Sequence, residues 1–380
     1  MGAPLKAAPL PRALRRSPEA PYRRLVGVGG IGSGIFFALE GDHDLGRNES
    51  RPGRLLDVRD YGKLHIVAHY PAVLLGARPE GIPFHVLPVG KVGIDEVGLR
   101  LRAEMSQAGM DTRLVETVPG HPTLLSACFQ YPDGSGGNIT TVDSAASLLT
   151  AKDVDRALPW LDGETLALAA PEVPLAARLH LLRCAAERGS YRAASLTSGE
   201  VREAREAGLL QLVDLLALNE EEAAALAGTP FPAGAEAPFL RRCAEAVGAG
   251  VCLVVTAGVR GAFAFDGTAW THAPAPAVRV VSTAGAGDAL LGGVLAGLGA
   301  GLPFVDEGPR RASLAERPLA SAFDLGVLLA AFKVTSPHTI PPCLSAEVLL
   351  AFAAELGVAV GAGLRRILAP GQRNEHADDR

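Results

Sequence analysis

The sequence predicts an α/β fold, in which a doubly wound, mostly parallel β-sheet carries helices on both faces and a small β lid. Three observations lead to this prediction. Continuously apolar strand candidates alternate with amphipathic helix candidates along the chain. Two segments, at residues 33–67 and 123–142, interrupt that alternation. The composition of the 380 residues, 48% hydrophobic and 20% charged, is typical of a globular protein.

Six apolar segments are strand candidates, because parallel strands buried on both faces are hydrophobic throughout. In chain order they are RRLVGV, FHVLPV, TLALAA, LVDLLAL, VCLVVT and VRVVS. The predicted helices, which have apolar residues at helical spacing, cover residues 94–107, 176–188, 199–207, 220–227, 240–247 and 289–298. Together these elements predict a single domain over residues 23–368.

The lid is predicted from the two segments that lack the alternation. Residues 33–67 are polar and irregular at first, and residues 123–142 indicate a hairpin with a glycine-rich turn. Residues 1–22 and 369–380 have no periodicity, so we expect disordered tails there. Residues 308–318 are expected to form a surface insertion.

Charge and cysteine content argue against several protein classes. A net charge of −5 offers no reason to expect nucleic-acid binding. The five cysteines are scattered and form no Cys-x-x-Cys pair, which indicates reduced thiols in a cytoplasmic protein. The apolar run at residues 25–39 follows an arginine-rich segment, as in a signal peptide, but it contains several glycines and no cleavage site. The run at 289–305 is shorter than the ~20 residues of a membrane span, so no membrane partner is expected.

The stretch VSTAGAGDALLGGVLAGLGAG, at residues 281–301, carries the strongest chemical signal. Its small residues form a turn between the strand candidate VRVVS and a long apolar helix. Glycines let backbone N–H groups converge, and a helix start adds about half a positive charge, so the turn is a predicted anion site. Asp288, in the first turn of that helix, is either a helix-capping acid or a general base beside a bound phosphate.

This stretch resembles the Asp-Thr-x-Gly-Ala-Gly-Asp signature of the ribokinase-like (PfkB) carbohydrate kinase family. Three further segments resemble family motifs and occur in the family's order: LPVGKVGIDEVGLRLRAEMSQAGMDT, LLALNEEEAAALAG and VVTAGVRGAFAF. The resemblance covers roughly residues 23–363 and implies a ribokinase-like kinase domain. It also implies an ATP-dependent phosphotransferase with an alcohol group as acceptor.

The resemblance implies a mechanism for the turn. Asp288 would accept the proton of the acceptor hydroxyl, as general acid–base catalysis requires. The backbone N–H groups of Gly285, Ala286 and Gly287 would hold the charge that develops on the transferred γ-phosphoryl group.

The resemblance also implies a nucleotide site built from several segments. Its expected residues are Asn219, Glu222, Thr256, Gly258, Gly261, Thr283 and His338. Asn219 and Glu222 would hold Mg²⁺ through water molecules, since Mg²⁺ keeps much of its hydration shell. The same spacing is that of a helix capping box, and both interpretations can hold at once.

The sequence departs from the family pattern in two places. Ser282 stands where the signature has a leading Asp, which helps to hold a monovalent cation in potassium-activated members. Because a hydroxyl is a poorer cation ligand, potassium activation is in doubt. The second departure is larger, since VGVGGIGSGIFF contains no acid where the family has a substrate-binding Asp after its first strand. The family's Gly-Gly-Lys/Asn segment appears only as Tyr61-Gly62-Lys63.

The phosphate acceptor is therefore defined only as a sugar-like or nucleoside-like small molecule. The substrate residues that the resemblance implies are Gly62, Lys63, His65 and Gly90. Polar residues that could replace the missing sugar contacts, or form a solvated loop instead, are Asp42, Asp44, Arg47, Asn48 and Glu49. The resemblance also implies a homodimer formed through the lid strands.

Two other functions remain open at this point. One is a non-catalytic nucleotide-binding or small-molecule-binding member of the same fold. The other is a dinucleotide enzyme, because Gly27-x-Gly29-x-x-Gly32 matches the Rossmann fingerprint. The segment after that motif is too short before its polar break to make a firm crossover helix.

Overall fold

The computed structural model describes residues 19–132, 136–306 and 318–368. The expected tails and the expected insertion lie almost entirely outside these ranges. The strands are β1 Arg24–Val28, β2 Gly32–Leu39, β3 Gly53–Tyr61, β4 His85–Gly93, β5 Val115–Val118, β6 Leu124–Gln130, β7 Gly136–Thr140, β8 Thr165–Ala169, β9 Tyr191–Ser195, β10 Leu215–Leu218, β11 Cys252–Thr256, β12 Ala262–Phe265 and β13 Trp270–Ala273. The helices are α1 Lys63–Leu74, α2 Glu96–Gln107, α3 Ala151–Asp155, α4 Leu175–Glu187, α5 Val201–Glu206, α6 Glu220–Ala227, α7 Glu236–Val247, α8 Ala286–Ala300, α9 Ala322–Val334, α10 Ala346–Glu355 and α11 Ala362–Leu368.

The large sheet has nine strands in the order β13-β12-β11-β10-β9-β8-β1-β4-β5. All neighbours from β5 to β11 are parallel, and only β12 and β13 pair antiparallel. The prediction of a mostly parallel sheet is confirmed. Strand β1 lies between β4 and β8, so the chain adds strands first on one side of β1 and later on the other. In such sheets ligands bind beyond the carboxyl ends of the strands at this switch point.

Helices cover both faces of this sheet, because successive strand residues point to opposite sides. Leu215 belongs to the apolar core on the face of α1, α8, α9 and α10, whereas its neighbour Leu216 belongs to the core on the face of α4, α5 and α7. Helix α8 is buried along almost its whole length. It approaches α9 so closely that a Cβ at Gly293 would lie 2.7 Å from the Gly326 Cα atom. Only glycine fits at such a contact between the two helices. Within the described residues, no helix combines the length and apolar character needed to cross a membrane.

A second, four-stranded sheet in the order β3-β2-β6-β7 is formed by the segments that interrupt the alternation. Strands β6 and β7 pair antiparallel as the predicted hairpin, and β2 pairs parallel with β6. Residues 63–67, which the sequence placed with the lid, instead begin α1 of the main body.

One strand prediction is wrong. The segment VRVVS forms no strand, and the N–H groups of Val281 and Ser282 instead donate to the Val334 carbonyl at the end of α9, at 2.7 and 3.2 Å. These donors are used by a helix end, so they cannot join a β ladder. Strands β5, β9 and β13 were not predicted, because they are short and carry polar or aromatic residues within the apolar pattern.

Candidate active site

A cleft of about 1110 Å³ is lined by residues of both sheets. The small sheet contributes residues such as Ser126 and Asn138. The large sheet contributes the residues that directly follow its parallel strands, including Thr197 after β9 and Asn219 after β10. The cleft therefore lies at the sheet edge where α/β proteins bind ligands, and its volume is at the upper end of the range for small-molecule sites.

The cleft brings together seven of the residues predicted from the sequence. They are Gly62, Lys63, Asn219, Glu222, Thr283, Gly285 and Asp288. The other predicted residues lie outside its lining, and they are His65, Gly90, Thr256, Gly258, Gly261, Ala286, Gly287 and His338. The expected base and the expected metal pair thus share one space, whereas only part of the expected nucleotide set does.

The turn before α8 has the geometry of an anion-binding site. Gly285 is the N-cap residue with a φ of 79°, a left-handed conformation that favours glycine. The N–H of Ala286 donates to the Thr283 carbonyl at 3.1 Å, so that amide is used within the turn. The first N–H groups of a helix lack intrahelical partners, which makes Gly285 and Gly287 the better candidate donors to a phosphate.

Asp288 forms an ion pair with Lys63 inside the cleft. The Lys63 Nζ atom lies 2.8 Å from Asp288 Oδ2, and the Asp288 side chain is only 10% exposed. Lys63 begins α1 and Asp288 lies in the first turn of α8, so the packing of these two helices sets their distance. The nearby negative charge of Asp288 raises the pKa of Lys63, which therefore stays cationic.

Glu172 is a cleft residue that the sequence analysis missed. It follows β8, adopts a φ of 71°, and accepts a hydrogen bond from the Lys63 backbone N–H at 2.8 Å. Burial raises its pKa to about 7. Left-handed backbone at a non-glycine residue costs about 1–2 kcal/mol, so the fold holds this carboxyl group against strain. The signal that could have revealed it is an acid just after the strand candidate TLALAA.

Two acids occupy the space left by two glycines, Gly30 just after β1 and Gly34 within β2. A Cβ atom at Gly30 would overlap the Glu172 carboxylate, and one at Gly34 would overlap the Asp60 carboxylate. Gly34 and Asp60 are directly paired across β2 and β3. Asp60 and Glu172, both of which line the cleft, thus place carboxyl groups beside the segment that itself contains no acid. Burial raises the pKa of Asp60 as well.

We expect Glu172→Gln to change how stability depends on pH. The pKa of Glu172 is raised from 4.5 to about 7 in the folded protein, so folding favours the protonated form. Wild-type stability should therefore fall relative to the variant as pH rises from about 4.5 to about 7, by at most ~1.4 kcal/mol per pH unit. Urea unfolding at pH 4.5, 6 and 7.5 measures this difference. A constant difference would show that the carboxyl group titrates normally.

Asn219 and Glu222 form the capping box that their spacing allows. Glu222 N–H donates to Asn219 Oδ1 at 2.9 Å, and Asn219 N–H donates to Glu222 Oε2 at 2.8 Å. Burial raises the pKa of Glu222 to about 7. Both side chains also line the cleft, so the cap does not remove them from a metal site.

The charge of the cleft lining suits a divalent cation. Among its described residues the acids are Asp57, Asp60, Glu172, Glu200, Glu221, Glu222 and Asp288, and Lys63 is the single cationic side chain. Carboxylate and amide oxygens are the ligands that Mg²⁺ prefers. A bound divalent cation would offset part of the negative charge that Lys63 leaves uncompensated in this lining.

The remaining predicted nucleotide residues lie around the turn and the β11–β12 connection. The Thr256 Oγ1 atom would be 3.7 Å from a Cβ at Gly287, so it lies behind the anion turn. Gly258 and Gly261 form the tight connection, and a side chain at Gly261 would overlap the Ala273 carbonyl. His338 accepts a hydrogen bond from the Arg59 N–H through Nδ1 at 3.1 Å, beside cleft-lining neighbours in the sequence.

Two predicted substrate residues are buried beside the cleft. The His65 ring packs 4.5 Å from Tyr61 and 5.9 Å from His69, and burial lowers its pKa well below the usual value, so it is neutral. Gly90 packs against Ile31, and a Cβ there would lie 2.6 Å from its side chain.

The polar residues at 42–49 also lie outside the lining. Asp42, Asp44, Arg47 and Asn48 are exposed, as a solvated loop would be. Glu49 is partly buried and pairs with His43. The dinucleotide alternative is wrong, because the chain passes from β1 directly into β2 and no helix begins at the glycine motif.

Comparisons with known proteins agree with this architecture. The family model described as "pfkB family carbohydrate kinase" matches residues 74–346, and therefore begins after Lys63. A ribokinase from Cryptococcus neoformans var. grubii serotype A, solved with ADP, is similar over 86% of this chain and 99% of its own, at 19% identity and a TM-score of 0.64. A ribokinase from Giardia lamblia is similar over 82% and 93%, at 16% identity and a TM-score of 0.67. A nucleoside kinase from Burkholderia thailandensis, solved with inosine, is similar over 88% and 99%, at 16% identity and a TM-score of 0.64. No curated protein sequence matches the chain.

Proposed function

The chain belongs to the pfkB family of carbohydrate kinases, and on that premise we propose that it transfers the γ-phosphoryl group of ATP to a hydroxyl group of a small sugar-like or nucleoside-like molecule. The observation that carries this proposal is the position of Asp288. Its carboxylate lies in the main cleft, in the first turn of α8 and next to the left-handed Gly285 turn. This position would put the proposed base beside the proposed anion site, as phosphoryl transfer requires.

The proposed reaction assigns one task to each group. Asp288 accepts the proton of the acceptor hydroxyl, and the oxygen of that hydroxyl forms the new bond to the γ-phosphorus. The bond between the γ-phosphorus and the oxygen that bridges it to the β-phosphorus breaks, and ADP is released. The N–H groups of Gly285 and Gly287 hold the charge on the transferred group, with the helix start behind them. Lys63, 2.8 Å from Asp288, adds the cationic charge of the site and positions the carboxylate.

The acceptor end of the cleft is proposed to bind hydroxyl groups through Asp60 and Glu172. Both carboxyl groups line the cleft and both have electrostatic interactions with Lys63 and Asp288. Carboxyl oxygens accept hydrogen bonds from hydroxyl donors. Because this end is acidic, it favours an uncharged acceptor over one that already carries a phosphate.

Substitution Glu222→Gln separates the metal role of Glu222 from its capping role. Glutamine also closes a capping box, so at pH 4.5, below the range in which the raised pKa of Glu222 affects stability, the midpoint of thermal unfolding should stay within about 2 °C of wild type. The lost negative charge should raise the Mg²⁺ concentration for half-maximal activity by about tenfold, since Mg²⁺ prefers carboxylates. A magnesium titration of ATP turnover measures this. An unchanged titration with unchanged stability would leave Glu222 with a capping role alone.

The function itself is tested by ADP formation with Mg²⁺-ATP and a panel of acceptors. D-Ribose, D-fructose, adenosine and inosine represent the proposed class, and D-fructose 6-phosphate is the charged match of D-fructose. We expect transfer to at least one uncharged compound, with phosphorus NMR identifying a phosphomonoester product. Nucleotide binding without transfer to any compound would favour the non-catalytic alternative. Preference for the phosphorylated sugar would contradict the assignment of Asp60 and Glu172.

A further inference from the structure

Lys333 is a fully buried lysine in the last turn of α9. Its relative exposure is 0%, and its Nζ donates to the backbone carbonyl of Ser282 at 2.9 Å. In the described part of the chain, no carboxylate lies within ion-pair distance of this ammonium group. The charges that it faces at longer range are Asp60 of β3 and Asp288 of α8.

The carbonyl that Lys333 holds belongs to the segment that leads into the anion turn. Ser282 lines the cleft and precedes Thr283, Ala284 and Gly285. The Ser282 N–H donates in turn to the Val334 carbonyl, so α9 holds this segment through both a donor and an acceptor. The buried ammonium therefore holds the segment that leads into the proposed phosphoryl-binding turn.

Burying an ammonium group with one carbonyl partner is energetically unfavourable. Burial lowers the pKa of Lys333 to about 8, although the carboxylates of Asp60 and Asp288 oppose that shift. A methionine would fill the same space without the desolvation cost. A group kept here against stability points to a role in the chemistry of the turn.

A monovalent metal ion next to Ser282 would need the backbone carbonyl oxygen that Lys333 already engages. Ser282 offers no carboxylate, and its carbonyl oxygen accepts from the lysine. The residues present therefore do not fit a bound potassium ion next to Ser282. A fixed ammonium supplies the same single positive charge and donates to the same kind of oxygen.

We propose that the Lys333 ammonium group takes the place of a monovalent metal ion behind the anion turn, so that the protein binds and turns over its nucleotide without potassium. This rests on the proposed kinase function for its activity readout. Nucleotide affinity is a separate readout that does not require any acceptor. Lys333 is a positioning residue here, because it acts on the nucleotide through the Ser282 segment.

The test compares wild type, Lys333→Met and the double variant Ser282→Asp/Lys333→Met. ADP affinity by calorimetry and ATP turnover are measured in N-methylglucamine chloride, KCl and NH₄Cl at equal ionic strength. The ADP affinity and the ATP turnover of wild type should differ less than twofold between these salts. In N-methylglucamine chloride, Lys333→Met should have ADP affinity and turnover that are lower than wild type by about tenfold or more. KCl or NH₄Cl should restore both quantities, and the restoration should be largest in the double variant. Lys91→Met, which removes a lysine paired with Glu116 and Asp153, is the matched control and should show no cation dependence.

Each outcome decides the proposal. Activation of wild type by KCl would overturn it. So would a folded Lys333→Met protein whose loss no cation restores, because that loss would be structural. If Lys333→Met does not fold, Lys333→Arg should retain cation-independent ADP binding, and a requirement for KCl in that variant would overturn the proposal. If wild type transfers phosphate to no acceptor, the kinase function fails, but the salt dependence of ADP affinity still decides the role of Lys333.

A pH profile supplies a second readout. Wild-type nucleotide affinity should fall as pH rises through about 8, because the ammonium group loses its proton there. Asp60 and Asp288 are the carboxylates that face this ammonium group. Glu172 and Glu222, whose pKa values are raised to about 7, also gain charge as pH rises, so only the part of the limb that Lys333→Met removes is assigned to Lys333. Lys333→Met in KCl should lack this alkaline limb. An unaltered limb in the variant would contradict the proposal.

Discussion

Asp288→Asn should lower phosphoryl transfer by about 10²–10⁴-fold while the protein remains folded. Asparagine has nearly the same shape but cannot accept the proton of the acceptor hydroxyl. The loss should appear in kcat, because the carboxylate acts in the transition state, whereas ADP affinity should change little. Steady-state kinetics with the best acceptor and calorimetry with ADP measure the two effects.

Asp57→Asn is the matched control for the charge that Asp288→Asn removes. Asp57 also lines the acidic cleft, but it is exposed on β3 of the small sheet. Its variant should keep kcat within about threefold of wild type, because screened charges in an open position interact weakly. Near-normal turnover of Asp288→Asn on a verified acceptor would show that the base is another group.

Lys63→Met should lower kcat/KM by about 10²-fold or more. Lys63 is the cationic side chain of the described cleft lining, and its charge interacts with the carboxyl groups of Asp288 and Glu172. Its loss removes positive charge from the place where the phosphoryl group arrives and leaves the surrounding carboxylates unopposed. Initial rates over a matrix of ATP and acceptor concentrations measure the change in kcat and in each KM.

Lys63→Arg separates charge from geometry at this position. Arginine keeps the cation but replaces a compact ammonium with a planar, larger group. We expect it to recover part of kcat/KM relative to Lys63→Met. Equal rates for wild type and Lys63→Met would exclude Lys63 from the chemistry and restrict it to packing at the start of α1.

Much of the fold was predictable because burial imposes its own pattern on the sequence. The strand candidates FHVLPV and VCLVVT are continuously apolar, and both are strands of the buried sheet. Helix α6 begins and ends where the capping Asn219 and Gly228 indicate. The segment VRVVS has the same apolar pattern, yet α9 takes its N–H groups. Pattern alone cannot tell a ladder partner from a helix end.

The candidate site was predictable only where its residues are local in sequence. Asp288 and Gly285 belong to one turn, and Asn219 and Glu222 to one cap, so their spacing is visible in the sequence. Asp60, Glu172 and Lys333 were missed because each acts on a partner far along the chain. Asp60 packs against Gly34, Glu172 packs against Gly30, and Lys333 donates a hydrogen bond to the Ser282 carbonyl.

By itself, the sequence determined the mostly parallel α/β fold and the position of the proposed anion turn. Both follow from short-range rules: apolar periodicity decides which segments are buried, and small residues before a helix decide where backbone N–H groups converge. Only the tertiary structure decided which charges surround that turn. Lys63 forms an ion pair with Asp288, and Asp60 and Glu172 pack against Gly34 and Gly30. In our proposal, the buried ammonium of Lys333 supplies the charge of a metal ion. Electrostatic interactions depend on distance in space, and distance along the chain does not report it.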